Sequence, residues 1–319
     1  AKAYASRLPS PLADWYAKNQ FGEYVAHLAL LLAPSREFSE VPGRLPDGTP
    51  NALHLPSIGW VALHSDLSDR ARTSIYFKSS SYGSYSHSHA DQNGFVINAR
   101  GRSLAIDSGY YDFYKSSHWK EWYAQTRAHN AITFDNGQGQ MLDNMAAKGK
   151  ITRFEHHADF DIATGDATEA YGGALRRAVR SLVYARPDAL LVYDALASGT
   201  PRSWEWNIHA LSRMKETGEK SLEIEQDGVR LCVSLLEAPA GAFSQTDRFT
   251  TEPQGKYPRQ WHARFASHEK STDAHFLALL DVECRKPEVS LAREGERRVV
   301  RLAGRRFVFD GRGKMMSAQ

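Results

Sequence analysis

The sequence predicts a mainly β protein, a large antiparallel β-sandwich preceded by one or two helices, and three observations carry that prediction. From residue 56 onward, short segments rich in β-branched and aromatic residues recur at regular intervals: WVALHS, TSIYFKSS, GFVINAR, SLAIDSG, NAITFD, ITRFEHH, DFDIATGD, RRAVRSLVYAR, ALLVYDAL, SWEWNIHAL, SLEIEQ, VRLCVSLLEA, QWHARFAS, HFLALLDV, RRVVRLAG and RRFVFDG. Turn sequences such as NARG, RPDA, QDG, LAGR and FDGR punctuate them, as expected of strands joined by tight connections. Helical spacing of apolar residues, by contrast, is confined to the start of the chain. There Leu12, Trp15, Tyr16, Phe21, Tyr24, Val25, Leu30, Leu31 and Leu32 recur before Pro34 ends the pattern. Three regions follow: a helical stretch over 1–34, a linker rich in Pro, Gly and charge over 35–55, and the sandwich over 56–319.

The 319 residues are 42% hydrophobic, enough for a sizeable core. A formal net charge of +3 makes no demand for nucleic acid, while 14 Tyr and 7 Trp suit an anionic carbohydrate. Two cysteines, Cys232 and Cys284, show no disulfide framework and exclude a cysteine-based metal motif. No apolar run reaches the roughly 20 residues that span a bilayer. The longest candidate, YVAHLALLL at 24–32, has the length of a core helix, and no membrane partner is expected. The opening AKAYASRLPS reads as a chain that begins mid-protein. The compartment therefore stays open between the cytoplasm and periplasm of a bacterium.

One region has the look of a site. SYGSYSHSHADQNGFVINARGRSLAIDSGYY reads as strand-like and sets His87 and His89 two apart, where side chains on a strand share a face. Asp107 follows one strand later and His129 arrives in AHNAITFD, at spacings of 18 and 22 residues. His89, Asp107 and His129 are candidate ligands for a tetrahedral zinc, which accepts nitrogen and oxygen donors. For His87 and His89 to act on different targets, a local kink is needed; Gly83 and the Ser79–Ser81 run are expected to provide it. Trp119, Tyr110, Tyr111 and Tyr114 are candidate stacking surfaces, at most two of them for a sugar. His209 and His262, each beside a Trp or Asn in strand-like segments, could line a sugar groove, with packing as the expected role.

The stretch around SHSHADQN, followed by QTRAHNAITFDNGQGQ, resembles the signature region of the heparinase II/III-like polysaccharide lyases. Within that superfamily it is most similar to the exo-acting oligoalginate lyases of polysaccharide lyase family 15. The resemblance runs from FGEYVAHLALLLAPS through the sandwich. It implies an (α/α) toroid followed by an antiparallel sandwich, and β-elimination of a uronate polymer or oligomer. It further implies that His87 is the catalytic histidine of the sandwich, that His89, Asp107 and His129 bind a structural zinc, and that Tyr123 contributes to catalysis. A glycosaminoglycan substrate of the heparin or heparan type remains the alternative.

The chemistry of elimination explains those residue types. Cleaving a 4-linked uronate without water requires removing the C5 proton, stabilising an enolate-like dianion and protonating the departing O4. Gln92, Asn93, Arg127 and His87 are donors suited to neutralising the sugar carboxylate. Histidine suits proton transfer near neutral pH, and Trp119 is a candidate for contact with the sugar. The toroid that supplies a further catalytic tyrosine in this superfamily is not found here. Residues 1–34 then correspond to its last helix or two, and the chain is expected to be nearly inactive without the rest. A non-catalytic carbohydrate-binding sandwich with structural zinc would not need His87. A zinc hydrolase would need a carboxylate base, for which Asp91 is the near candidate.

Overall fold

The computed structural model describes residues 10–19 and 43–318, which fall into two units, 1–51 with 66–70, and 52–65 with 71–319. In the first, helix α1 (Pro11–Asn19) begins where the Ser10 hydroxyl accepts the amide of Ala13 at 3.3 Å, and proline occupies the first helical position. The expected continuation of helix over 20–34 lies outside the described residues, as does 35–42 of the expected linker. None of the described helices is long and apolar enough to cross a membrane.

In the second unit every strand pairing is antiparallel, and four sheets form. The first is a meander of β1 (Ala52–Leu55), β2 (Trp60–His64), β3 (Ser74–Lys78), β4 (Gly94–Ala99) and β5 (Arg102–Ala105). β1 corrects the linker expectation: the last four residues of 35–55 pair with β2, burying Ala52. A second sheet holds β6 (Ile132–Phe134), β11 (Trp204–Ala210), β15 (Gly241–Thr246) and β16 (Trp261–Ser267) in the order β15-β16-β11-β6.

The third sheet is the largest. It takes β7 (Lys150–His156), β8 (Phe160–Asp166), β9 (Leu175–Ala185), β10 (Ala189–Arg202), β12 (Lys215–Gly218), β13 (Ser221–Gln226), β14 (Val229–Glu237) and β17 (Ser271–Val282), ordered β12-β13-β14-β17-β10-β9-β8-β7. β18 (Val289–Glu294), β19 (Arg297–Leu302), β20 (Arg305–Phe309) and β21 (Met315–Ala318) make the fourth.

The middle strands of the large sheet are buried on both faces, which is why RRAVRSLVYAR and ALLVYDAL read as nearly unbroken apolar runs. Leu182, Tyr184, Leu190, Val192, Phe276 and Leu280 join the core shared with the first two sheets. Val183, Leu191, Tyr193, Leu277 and Leu279 alternate with them and meet Val300, Leu302, Phe307 and Phe309 of the fourth sheet. The large sheet is thus the middle of three layers. β14 and β17 lie side by side, and this places Cys232 and Cys284 at a Cα separation of 5.0 Å, joined by a disulfide. The expectation of no disulfide is corrected here: two strands that pair across 52 residues leave no local mark of their pairing.

Burial has a consequence for acid stability. His64 and His262 are buried, which lowers their pKa from 6.5 to about 4 and about 2 respectively. Both stay neutral in the fold while the unfolded chain protonates them below about 6.5, so the unfolded state binds more protons as pH falls. The thermal midpoint is expected to drop steadily from about pH 6.5 to about pH 4, by an amount corresponding to a few kcal/mol. A flat profile across that window would remove this account of the two side chains.

Candidate active site and metal centre

The SHSHADQN stretch is a loop, which corrects the strand-like reading. Residues 79–93 connect β3 to β4 by turns, with Ser86 at φ 61° and Asn93 at φ 60°, both left-handed. Hydrogen bonds from its own polar residues hold it in shape. Gln92 Oε1 accepts the amide of Ser80 at 2.6 Å and its Nε2 donates to the Gly83 carbonyl at 3.2 Å. The backbone of Gln92 is gripped in turn by the Gln140 side chain through two bonds of 2.8 Å. Gly83 sits at φ 69°, where a Cβ would come within 2.4 Å of the Asn144 carbonyl oxygen. The kink expected at Gly83 is therefore present, and it is one turn of a longer pinned loop.

This loop presents the two imidazoles to different surroundings. His87 is exposed and stacks on Tyr114 at 4.3 Å between ring centroids, with 28° between planes. Tyr114 is backed edge-on by Trp119 at 5.1 Å. His89 is half-buried, 5.3 Å from the ring of His129 and 5.5 Å from that of Tyr123. Burial and the neighbouring His129 lower its pKa to about 4. Ala90, fully buried, donates its amide to Ala124 at 2.8 Å, tying the loop to the short π-helix Trp119–Tyr123.

Asp107 follows β5 and brings its Oδ1 to 3.0 Å from His129 Nδ1. Neither ring nitrogen of His129, a fully buried residue, has a hydrogen-bond partner, so the Asp107 contact is close without being an aligned hydrogen bond. Two ligands of a tetrahedral zinc at ordinary bond lengths stand about 3.3 Å apart. The 3.0 Å separation is that of a charge pair, in which Asp107 raises the His129 pKa, and it is also close to the spacing of two ligands on one ion. Ligand atoms of His89, Asp91 and His129 lie within 4.8 Å of one another. Asp107 joins this set through His129, and Asp91 adds a donor that is bonded to Lys78 at 2.5 Å. Beside the donors opens a cleft of about 110 Å³, walled in part by Trp60, Tyr76, Lys78, Asp91 and Asp107.

Beneath the site lies a buried residue that the sequence reading passed over. Arg180 on β9 makes a two-pronged pair with Asp194 on β10, at 2.7 and 2.9 Å, and both side chains are almost fully buried. Its remaining Nη1 donates to the carbonyls of Asn93 at 2.7 Å and Asn130 at 2.6 Å. One guanidinium therefore fixes the end of the His87–His89 loop and the residue after His129 at a shared floor. Asn130 extends that floor, donating to the carbonyls of Phe95 and Ile106 and accepting the amide of His209.

Four expected substrate contacts are placed elsewhere. Gln92 is fully buried with its amide committed to the loop backbone, and Asn93 turns inward to donate to Gly165 and Ala178 at 3.1 Å each. Trp119 is buried behind Tyr114. Arg127, two residues before His129, leaves the short turn Thr126–Ala128 toward a separate cavity. Tyr123 is also withdrawn: it is buried and its hydroxyl donates to the Asp112 carbonyl at 2.8 Å, while burial raises its pKa to about 12. Tyr110, 5.0 Å from it and 72% exposed, is the phenol of this cluster that reaches solvent.

The family model described as "Heparinase II/III-like, C-terminal" matches residues 47–304, and the chain belongs to that family. In fold it is similar to the heparan sulfate lyase HepC from Pedobacter heparinus, with a TM-score of 0.67 and 17% identity over 99% of this chain and 49% of that one. It is likewise similar to the heparinase III that is the BT4657 gene product, with a TM-score of 0.68 and 14% identity over 93% of this chain and 47% of that one. A further heparinase III matches with a TM-score of 0.66 and 17% identity over 84% of this chain and 43% of that one. The chain thus spans about half the length of these structures. Comparison with curated protein sequences gives no match.

Proposed function

We propose that this chain forms the sandwich side of a polysaccharide lyase active site that cleaves uronate chains by β-elimination, acting on alginate-type oligomers from one end together with an (α/α) toroid portion. The observation that carries the reading is the placement of His87, exposed and braced by Tyr114, two residues from His89 of the His/Asp donor cluster. In the reaction the C5–H bond breaks and its proton passes to the His87 imidazole. The C4–O4 bond then breaks, a C4=C5 double bond forms, and the departing O4 takes a proton from a phenol. Tyr110 presents such a group at the surface, with Tyr123 holding the aromatic cluster behind it. The cleft beside Trp60 offers an aromatic wall for the ring.

The residues fit zinc, with nitrogen from His89 and His129 and oxygen from Asp91, which lies within 4.8 Å of both histidines, and from Asp107, 3.0 Å from His129. When bound, the ion supplies a structural cross-link and a fixed positive charge. Its ligands come from three separate segments, so their shared hold keeps the His87 loop in register. The purified protein is expected to carry about one zinc per chain, and stripping it with a chelator should lower the thermal midpoint. Asp107→Ala and His129→Ala should each lose the metal. A full metal content in either variant would reassign the ligands.

The activity is tested by incubating the polypeptide that carries both this chain and its toroid portion with alginate oligomers and, in parallel, heparan sulfate. The readout is ultraviolet absorbance of the unsaturated uronyl end. Alginate oligomers are expected to give the signal. Signal from heparan sulfate alone would move the substrate to the glycosaminoglycan class named by the structural relatives, and none from any uronate would remove the lyase reading.

A further inference from the structure

A second cavity, of about 400 Å³, shares no lining residue with the cleft beside the donors and falls within the roughly 300–1,000 Å³ range of small-ligand sites. It is built on one face of the β15-β16-β11-β6 sheet. Register pairs Asn207 with Arg264 and His209 with His262, so these four side chains line the same face, while Ile208 and Phe265 alternate into the core. Trp122, Arg127 and Arg248 complete the lining.

Its chemistry is that of an anion site. Arg264 is matched by Glu205 at 3.2 Å. Arg127 and Arg248 have no carboxylate partner among the described residues, and Arg127 Nε is buried with no hydrogen bond at all. Gly137, at φ 86°, leaves the Arg127 guanidinium uncovered where a Cβ would come within 3.2 Å of it. His262 is more than nine-tenths buried. Its Nδ1 meets Ser108 at 3.2 Å, and its Nε2 has no partner. Two uncompensated guanidinium groups and an unsatisfied imidazole nitrogen in one open cavity constitute an unmet demand for acceptors.

We propose that this cavity binds an anionic sugar unit, its carboxylate or sulfate held by Arg127 and Arg248 and a ring hydroxyl by His262, as a site separate from the one at His87. The proposal takes from the proposed function only the class of ligand, and the two fail separately, since elimination is read on His87 and binding here on Arg248. The site lets one chain hold an anionic glycan at two places.

The test is calorimetric titration of the full chain with a saturated diuronate, and in a second arm with a neutral sugar bearing a single sulfate. The His87→Ala protein is expected to bind one equivalent of at least one probe with wild-type affinity. Arg248→Ala should weaken that binding about tenfold, the value of one charge-assisted hydrogen bond, and Arg248→Glu should weaken it further. Arg248 is exposed, so both variants should keep the wild-type thermal midpoint. Which arm binds identifies carboxylate or sulfate as the recognised group. No binding in either arm would overturn the proposal, as would binding that survives Arg248→Glu but is lost in His87→Ala.

Discussion

His87→Ala is expected to lower kcat for uronate elimination by about 10²–10⁴, the usual contribution of a positioned proton-transfer group, with a smaller change in KM. The fold should not notice. The side chain is exposed, its one ring contact among the described residues is Tyr114, and pinning bonds of its loop come from Gln92, Ser84 and Ala90. Zinc content and thermal midpoint should therefore match wild type. His87→Gln, which keeps a hydrogen-bond donor but cannot carry the proton, separates the two roles: if His87 moves the C5 proton, Gln is as poor as Ala. Near-wild-type turnover in His87→Gln would reduce His87 to a carboxylate holder.

The largest effect on stability is expected at Arg180. Arg180→Met leaves Asp194 buried without its partner, a loss of about 3–5 kcal/mol, measurable as a shift in the denaturant midpoint at constant m-value. It also strips the bond donor from the carbonyls of Asn93 and Asn130, so residual activity should fall by more than the folded fraction does. Replacing both partners, Arg180→Met with Asp194→Leu, removes the stranded charge and should recover much of the stability. Activity should stay low in the double variant, because the floor under the two site loops is still missing. Full recovery of both would show that the pair serves stability alone.

Arg180 also shows how much of the site the sequence could have disclosed. ARPDA is a tight turn, and counting outward from it along RRAVRSLVYAR and ALLVYDAL sets residue 180 opposite residue 194, the register the sheet adopts. An arginine and an aspartate facing each other inside two apolar strands are a buried ion pair, legible from charge and turn alone. Which backbone carbonyls the arginine would hold was not legible, since that depends on loops packed from another sheet. The strands with apolar segments were read correctly. Those missed, such as β1, β12 (KETG), β15 and β18, expose much of their length and so lack the apolar signal. SHSHADQN read as strand-like because its histidines alternate, but the alternation arises in a loop shaped by Gln92 and Asn93. Those two amides were expected to meet substrate and are instead spent on hydrogen bonds to backbone. Arg127 lay close to His129 in sequence and was assigned to the same site, although a short turn between them sends its side chain to another cavity.

The central claim is that the exposed imidazole at residue 87 serves an elimination, a reaction that takes up no water. Digestion of the uronate substrate in heavy-oxygen water, followed by mass spectrometry of the new chain ends, tests it directly. The account predicts unsaturated ends that carry no solvent oxygen from the cleavage step. Saturated ends labelled at the cleaved bond would show hydrolysis and contradict it.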